Sequence, residues 1–313
     1  MASPAFEVAR RLQENMGRVV LGKPEVIKNL LVALLAADHV LLEDVPGVGK
    51  TLAAKALAKS IEGRFTRIQF SPDLLPTDIV GSSLYRSDQQ EFEFSPGPVF
   101  ANVVLADEIN RAPPRTQSAL LEAMSDFQVS ADGVTHALPR PFIVVATQNP
   151  FEFEGTYPLP ESQLDRFLIR VTVGYPSREI ERDVLSTHRA GEPVELLQPV
   201  VTTEEIIVAQ RAVRDIRVDP MVVEYLLDLV HATRESERLL VGVSTRGALG
   251  FYRACQARAA VEGREFVTPD DAQALAIPVF SHRVVLRGVL QGADRKTVER
   301  EIESIVQRIS VPT

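Results

Sequence analysis

The chain has 313 residues, 45% of them hydrophobic, with a net charge of −8 and a pI near 5.3. That composition excludes a disordered chain and argues against a broad nucleic-acid footprint, leaving room only for a local basic channel. The single cysteine, Cys255, excludes an intrachain disulfide, and the longest apolar run, at 30–37, is too short to span a bilayer.

The opening residues carry no apolar run of signal-peptide type, so a cytoplasmic protein without membrane insertion is expected. Ser3 and Pro4 read as a helix cap and first helical position. Pro24 opens a second helix, with Ile27, Leu30, Leu31, Leu34 and Leu35 at helical spacing. The pattern then changes. "HVLLEDV", "FTRIQF", "NVVLADE", "FIVVATQ" and "FLIRVTV" are short, nearly continuous apolar runs alternating with helix and turn signals. Such runs predict a parallel sheet of five strands with helices on both faces, an α/β fold. No further strong strand is read after Tyr175. Ser177, the capping-box pair Thr202 and Glu205, and Thr268-Pro269-Asp270 mark helix starts, and a last helix is read over 295–309. The expected organisation is an α/β domain over 1–176 and an all-helical domain over 177–313. Cys255 has alanine neighbours on one helix face and reads as a buried structural thiol.

"EDVPGVGKT", 43–51, matches the end of the phosphate-loop pattern G-x-x-x-x-G-K-[ST], but Asp44 stands where the pattern has glycine. Gly47 and Gly49 let the chain wrap around an anion, and the next helix offers its free N–H groups. Lys50 would reach the β- and γ-phosphates and Thr51 would ligate Mg2+. Asp44 is expected to act through its backbone, its carboxylate turned away from the phosphates. "NVVLADE" ends in Asp107 and Glu108, an acid to hold Mg2+ and a second to orient an attacking water. "FIVVATQNP" ends in Thr147, Gln148 and Asn149, where a polar amide suits water or the γ-phosphate. Arg166 precedes the fifth strand, and Arg246 stands at a helix start, where the dipole disfavours a cation that has no anionic partner. The five histidines, His39, His136, His188, His231 and His282, have no ligand spacing with each other or with Cys255.

"RIQFSPDLLPTDIVGS", "PGPVFANVVLADEINRAPPRTQSALLEAM", "VVATQNPFEFEGTYPLPESQLDRF" and "STRGA" together resemble the MoxR family of AAA+ ATPases, from about Val19 to the C-terminus. MoxR-like loops often carry a non-glycine residue at the place of Asp44. The resemblance implies an AAA+ P-loop core followed by a smaller helical lid. It implies ATP and Mg2+ as cofactors, with Pro46, Gly47, Val48, Gly49, Lys50, Thr51 and Leu52 around the nucleotide and Thr51 and Asp107 on the metal. Asp107 and Glu108 would be the Walker B pair, Asn149 sensor 1 and Arg166 the arginine finger on a neighbour's ATP. Arg246 would be sensor 2, bringing the lid onto the γ-phosphate. Val20 and Gly22 lie where such proteins touch adenine.

The family also implies a helix-2 insert at about 81–100, where Phe92 and Phe94 alternate with acids, and a hairpin before sensor 1 at about 128–141, turning at Asp132-Gly133. Either insert reads equally as a plain surface hairpin, and contact with a client is favoured slightly for the first. The implied function is chaperone-like ATP hydrolysis by a ring of identical subunits, a hexamer, acting on a protein client. Metal-cofactor insertion and a partner with a von Willebrand factor A domain belong to that expectation. Two alternatives stand beside it: a nucleic-acid-dependent motor, disfavoured by the acidic balance, and an ATP-holding switch without turnover, disfavoured by Glu108 and Arg166.

Overall fold

The computed structural model describes residues 3–88, 90–150, 155–187, 191–288 and 295–312. Two helices open the chain, α1 (Pro4–Gly17) and α2 (Pro24–Leu35), each with its proline in the first turn, where no N–H is needed. There follow β1 (Val40–Glu43), α3 (Lys50–Lys59), β2 (Ile61–Glu62), β3 (Phe65–Gln69), α4 (Pro76–Val80), β4 (Gly81–Arg86), β5 (Glu91–Pro96), β6 (Val103–Asp107) and α5 (Pro114–Asp126). Next come β7 (Gln128–Ala131), β8 (Val134–Ala137), β9 (Ile143–Gln148), α6 (Glu161–Leu164) and β10 (Ile169–Val171). The remainder carries α7 (Arg178–Thr187), β11 (Val201–Thr202), α8 (Thr203–Arg214), α9 (Pro220–Glu235), β12 (Leu239–Val241), α10 (Thr245–Val261), α11 (Pro269–Phe280), β13 (Val285–Leu286) and α12 (Arg295–Arg308).

The five apolar runs become the five strands of one parallel sheet, ordered β10-β1-β9-β6-β3. They are apolar throughout because both faces are covered. Val40, Leu42, Val103, Leu105, Ile143 and Val145 face a cluster built with α1, α2 and α3. Leu41, Val104, Ala106, Val144 and Ala146 face a second cluster with Leu120, Leu121 and Met124 of α5. β1 lies between β9 and β10: the chain places β3, β6 and β9 on one side of it and then crosses over to add β10 on the other. Such a switch point opens a crevice at the strands' C-terminal ends.

After β10 the chain is helical apart from three short strands, which the sequence reading did not foresee. β11 pairs parallel with β2, and β12 pairs antiparallel with β13. Two or three residues are too few to show a period of two. The helical region is not separated from the sheet by a polar seam: α1 packs on α8, α2 on α10, and one apolar cluster runs through all of them. Cys255 lies inside that cluster, wholly buried, and burial pushes its thiol pKa up, as befits an inert thiol.

Both expected hairpins form. β4 pairs with β5 over Gly81–Pro96, and β7 with β8, turning at Asp132 and Gly133, which both take positive φ. The ring of Phe94 stacks on His136 at 3.9 Å and joins the two hairpins, while Leu84, Tyr85 and Phe92 stay exposed. His188 and residues 151–154 of the quoted signature lie outside the described residues.

Candidate functional site

The loop between β1 and α3 has the conformation an anion cradle needs. Gly47 (φ 81°) and Gly49 (φ 96°) are left-handed, where a side chain is strained, and a Cβ at either would meet nothing within 4 Å. Gly49 caps α3 without a side chain, so the first N–H groups of the helix are left for a ligand. The Lys50 ammonium faces backbone carbonyls, those of Asp44, Val45 (3.1 Å) and Gln148 (3.4 Å), and makes no ion pair among the described residues. Burial lowers its pKa, against the pull of Asp44, Asp107, Glu108 and Glu43. A cation held this way, beside an uncapped helix start, is suited to a phosphate chain.

Asp44 is turned as expected, but its carboxylate has a task. Oδ1 accepts the N–H of Val45 at 2.8 Å and Oδ2 that of Gly174 at 2.7 Å, stapling the loop to the segment that follows β10. That segment also holds Tyr175, whose carbonyl accepts from Lys23 at 2.8 Å. Gly22 has φ 68°, and a Cβ there would lie 2.8 Å from Ile180 of α7. Val20 is buried next to it. Of the two residues expected near adenine, Gly22 therefore lies against Ile180 of α7.

The acids lie at the same end of the sheet, after β6. Asp107 is buried. Its Oδ1 accepts the hydroxyl of Thr147 at 2.6 Å, and its Oδ2 accepts Nε (3.1 Å) and Nη2 (2.6 Å) of Arg67. Glu108 is left-handed at φ 58°, an uncommon conformation for a residue with a side chain. Its N–H donates to Thr147 Oγ1 at 2.9 Å, and its Oε2 accepts Gln69 Nε2 at 3.0 Å and pairs with Arg111 at 3.1 Å. Thr147 therefore touches both acids. Nothing in the sequence sets Thr147 apart from Asn149, because only the β6–β9 pairing shows which strand-end residue faces Asp107. Asn149 follows β9 at the same end, its carbonyl 3.4 Å from Asn110 Nδ2. Lys50, Thr51, Asp107, Glu108 and Asn149 are thus brought to one edge.

Arg166 and Arg246 are not. Arg166 precedes β10 and donates from Nη1 to Leu121 O (2.5 Å) and Ser125 Oγ (2.8 Å) near the C-terminus of α5. Arg246, at the start of α10, is exposed and reaches the same hydroxyl at 3.5 Å. α5 runs from the acid end to the opposite end of the sheet. At ~1.5 Å per residue, Pro114 to Ser125 covers roughly 17 Å. An arginine side chain cannot bridge that distance back, so the expectation that Arg246 brings the lid onto the γ-phosphate fails within one chain. The reason is packing: α10 docks by Ser244 on Asp165 (2.9 Å), and Arg283 reaches the other oxygen of Asp165 at 2.8 Å. Arg246 thus has only a long contact with a hydroxyl near the C-terminus of α5 and otherwise faces solvent.

Among the described residues there is no group of three or more His, Cys, Asp or Glu placed to hold a metal, and no helix long and apolar enough to cross a membrane.

Comparison with known proteins agrees with this geometry. Residues 39–169 match the family model described as "ATPase family associated with various cellular activities (AAA)", and residues 231–305 match the AAA lid domain. YeaC of Bacillus subtilis is 50% identical over 296 residues, covering 94% of this chain and 92% of the relative. Chaperone MoxR1 of Mycobacterium tuberculosis is 43% identical, covering 94% and 80%. Protein MoxR of Methylorubrum extorquens is 30% identical, covering 98% and 96%. A crystal structure from Cytophaga hutchinsonii superposes with a TM-score of 0.88 at 34% identity, over 99% of this chain and 97% of that one. With a phosphate loop, a strand-end acid pair, a helical lid and relatives matched nearly end to end, the chain belongs to the MoxR family of AAA+ ATPases.

Proposed function

We propose that the chain binds ATP with Mg2+ at the β1–β6–β9 edge and hydrolyses it only in a ring of its own copies, a hexamer by analogy. The turnover would drive chaperone-like remodelling or maturation of a protein client. One observation carries the shared-site reading: the phosphate loop and acids lie at one end of the sheet, while Arg166 and Arg246 lie at the other. Each half lacks what the other holds. A head-to-tail neighbour supplies it.

In this reading the loop from Pro46 to Leu52 wraps the triphosphate, and Lys50 exchanges its carbonyl partners for the β- and γ-phosphates. Thr51 and Asp107 hold the metal ion, which when bound neutralises phosphate charge and polarises the γ-phosphoryl group. Glu108 orients the attacking water and takes its proton. Thr147 fixes both acids, and Asn149 holds the water or the γ-phosphate. Val20 and Gly22 border the adenine. Arg166 and Arg246 of the neighbour meet the charge that develops on the γ-phosphoryl oxygens.

The relative named Chaperone MoxR1 and the exposed Leu84, Tyr85 and Phe92 on β4–β5 support a protein client. Metal-cofactor insertion and a von Willebrand factor A domain partner remain the specific forms we propose to test by pull-down with a trapped ring. Lys50→Ala should abolish binding of a fluorescent ATP analogue. Glu108→Gln should bind it like wild type and lose turnover. Wild-type turnover by Glu108→Gln would refute the assignment of the water-orienting group.

A further inference from the structure

Strand β3 supplies none of the groups proposed to touch nucleotide, metal or water, yet it holds both acids. Arg67 gives two hydrogen bonds to Asp107 Oδ2 and one, from Nη2, to Gln69 Oε1 at 3.0 Å. Gln69 passes its amide N–H to Glu108. The register explains the contact: Gln69 lies opposite Asp107 and Arg67 opposite Leu105, all on the face that carries α3. Asp107 is almost fully buried, and an ionised carboxylate there requires a cation or several donors. Both of its oxygens are engaged, one by Thr147 and the other by the guanidinium fork.

We propose that Arg67 is a positioning residue that stands in for the divalent metal. It neutralises and orients Asp107 while no metal is bound, and it competes with Mg2+ for the same oxygen when nucleotide arrives. The inference rests on the reading of Asp107 as a metal-holding acid. Three features favour competition over a permanent strut. The guanidinium takes the only Asp107 oxygen that Thr147 does not already hold. The side chain is 47% exposed on an edge strand, so solvent can receive it when it leaves. Its remaining partner, Gln69, is exposed as well and would not restrain it. A metal would meet an acid already turned to the right rotamer, at the expense of displacing one ion pair. The chain would therefore need more Mg2+ than the bare acid would, and loading would be sensitive to the metal concentration.

The test is a titration of Mg2+ at fixed fluorescent ATP analogue in wild type, Arg67→Gln and Arg67→Lys, with EDTA as the metal-free reference and thermal unfolding in EDTA alongside. Arg67→Gln should shift the Mg2+ midpoint about three- to tenfold lower, a range between an exposed and a buried pair. Metal-free binding should not change, and Arg67→Lys should stay near wild type. Arg67→Gln should also unfold at a lower temperature in EDTA, with the difference closing when Mg2+ and nucleotide are added. An unchanged or higher midpoint in Arg67→Gln, with wild type still requiring Mg2+, would overturn the inference and leave Arg67 a structural partner. A wild type whose binding ignores Mg2+ would instead overturn the metal-holding reading of Asp107.

Discussion

Replacing Arg283 with methionine tests whether the helical lid is pinned to the segment that carries Arg166. The Arg283 side chain is 3% exposed. It donates from Nε to Asp165 Oδ1 at 2.8 Å, from Nη1 to the carbonyls of Leu168 (3.0 Å) and Val279, and from Nη2 to Phe167 O at 2.5 Å. Burial pushes its pKa down, with Asp165 opposing. Methionine keeps most of the volume and none of the donors. Removing one partner of a buried pair costs about 3–5 kcal/mol. Two features pull the value to the low end. Asp165 is 21% exposed and keeps Ser244, and the Phe167 carbonyl keeps His282 Nε2 at 2.8 Å. The expected loss is therefore ~3 kcal/mol, including the orphaned Leu168 carbonyl. Urea unfolding followed by far-UV circular dichroism suits a chain with no tryptophan. Arg246→Ala, exposed and weakly bonded, is the control and should stay within about 0.5 kcal/mol of wild type. A loss below about 1 kcal/mol in Arg283→Met would refute the argument that this guanidinium locks the lid to the 165–168 segment.

Arg166→Ala and Glu108→Gln should each be nearly inactive, and mixing them before ATP is added should restore part of the ATPase rate. No restoration in demonstrably mixed rings would assign Arg166 a role within its own chain. Asp44→Ala leaves the N–H groups of Val45 and Gly174 unpaired and should cost about 1–3 kcal/mol in chemical unfolding. Its ATP affinity should change less than about tenfold, because the carboxylate faces away from the loop. A stability equal to wild type would contradict the staple. His282 and His39 are both buried, and burial lowers their pKa values, so the fold keeps them neutral. The unfolded chain takes up protons near the ordinary value of ~6.5 and the folded chain does not, so stability is lost as pH falls through that range. Each should contribute up to about 1.4 kcal/mol of loss at one unit below it, read from urea unfolding at pH 7.5 and pH 5.5. A pH-independent unfolding free energy would refute the neutral assignment.

The sheet was readable because its strands are covered on both faces and so spell continuous apolar runs, with β6 and β9 each ending in polar residues at the edge where they act. The phosphate loop was readable despite Asp44, since its glycines and Lys50 keep their local spacing. What the chain did not disclose depended on register or docking. Thr147 meets Asp107 only because β9 pairs with β6 in one register. Arg67 reads as one charged residue in an apolar run, and its target is 40 positions away across an edge strand. Arg246 carries no mark of which end of the sheet α10 will dock on, so its distance from the phosphate loop of its own chain follows only from the packing. The two-residue strand β11 is an accident of the path that brings Val201 beside Ile61.

If the site is shared between copies as proposed, the opposed placement of Lys50 and Arg166 gives each subunit a donor end and an acceptor end. Subunits stacked in an open row always leave one phosphate loop without arginines and one arginine pair without a nucleotide, so a row of n has n − 1 complete centres and only closure supplies the last. Specific activity should then rise with protein concentration rather than stay constant, and rise most steeply at the smallest assemblies, where one added neighbour changes the fraction of complete centres most. At high dilution the chain would bind its nucleotide and not spend it.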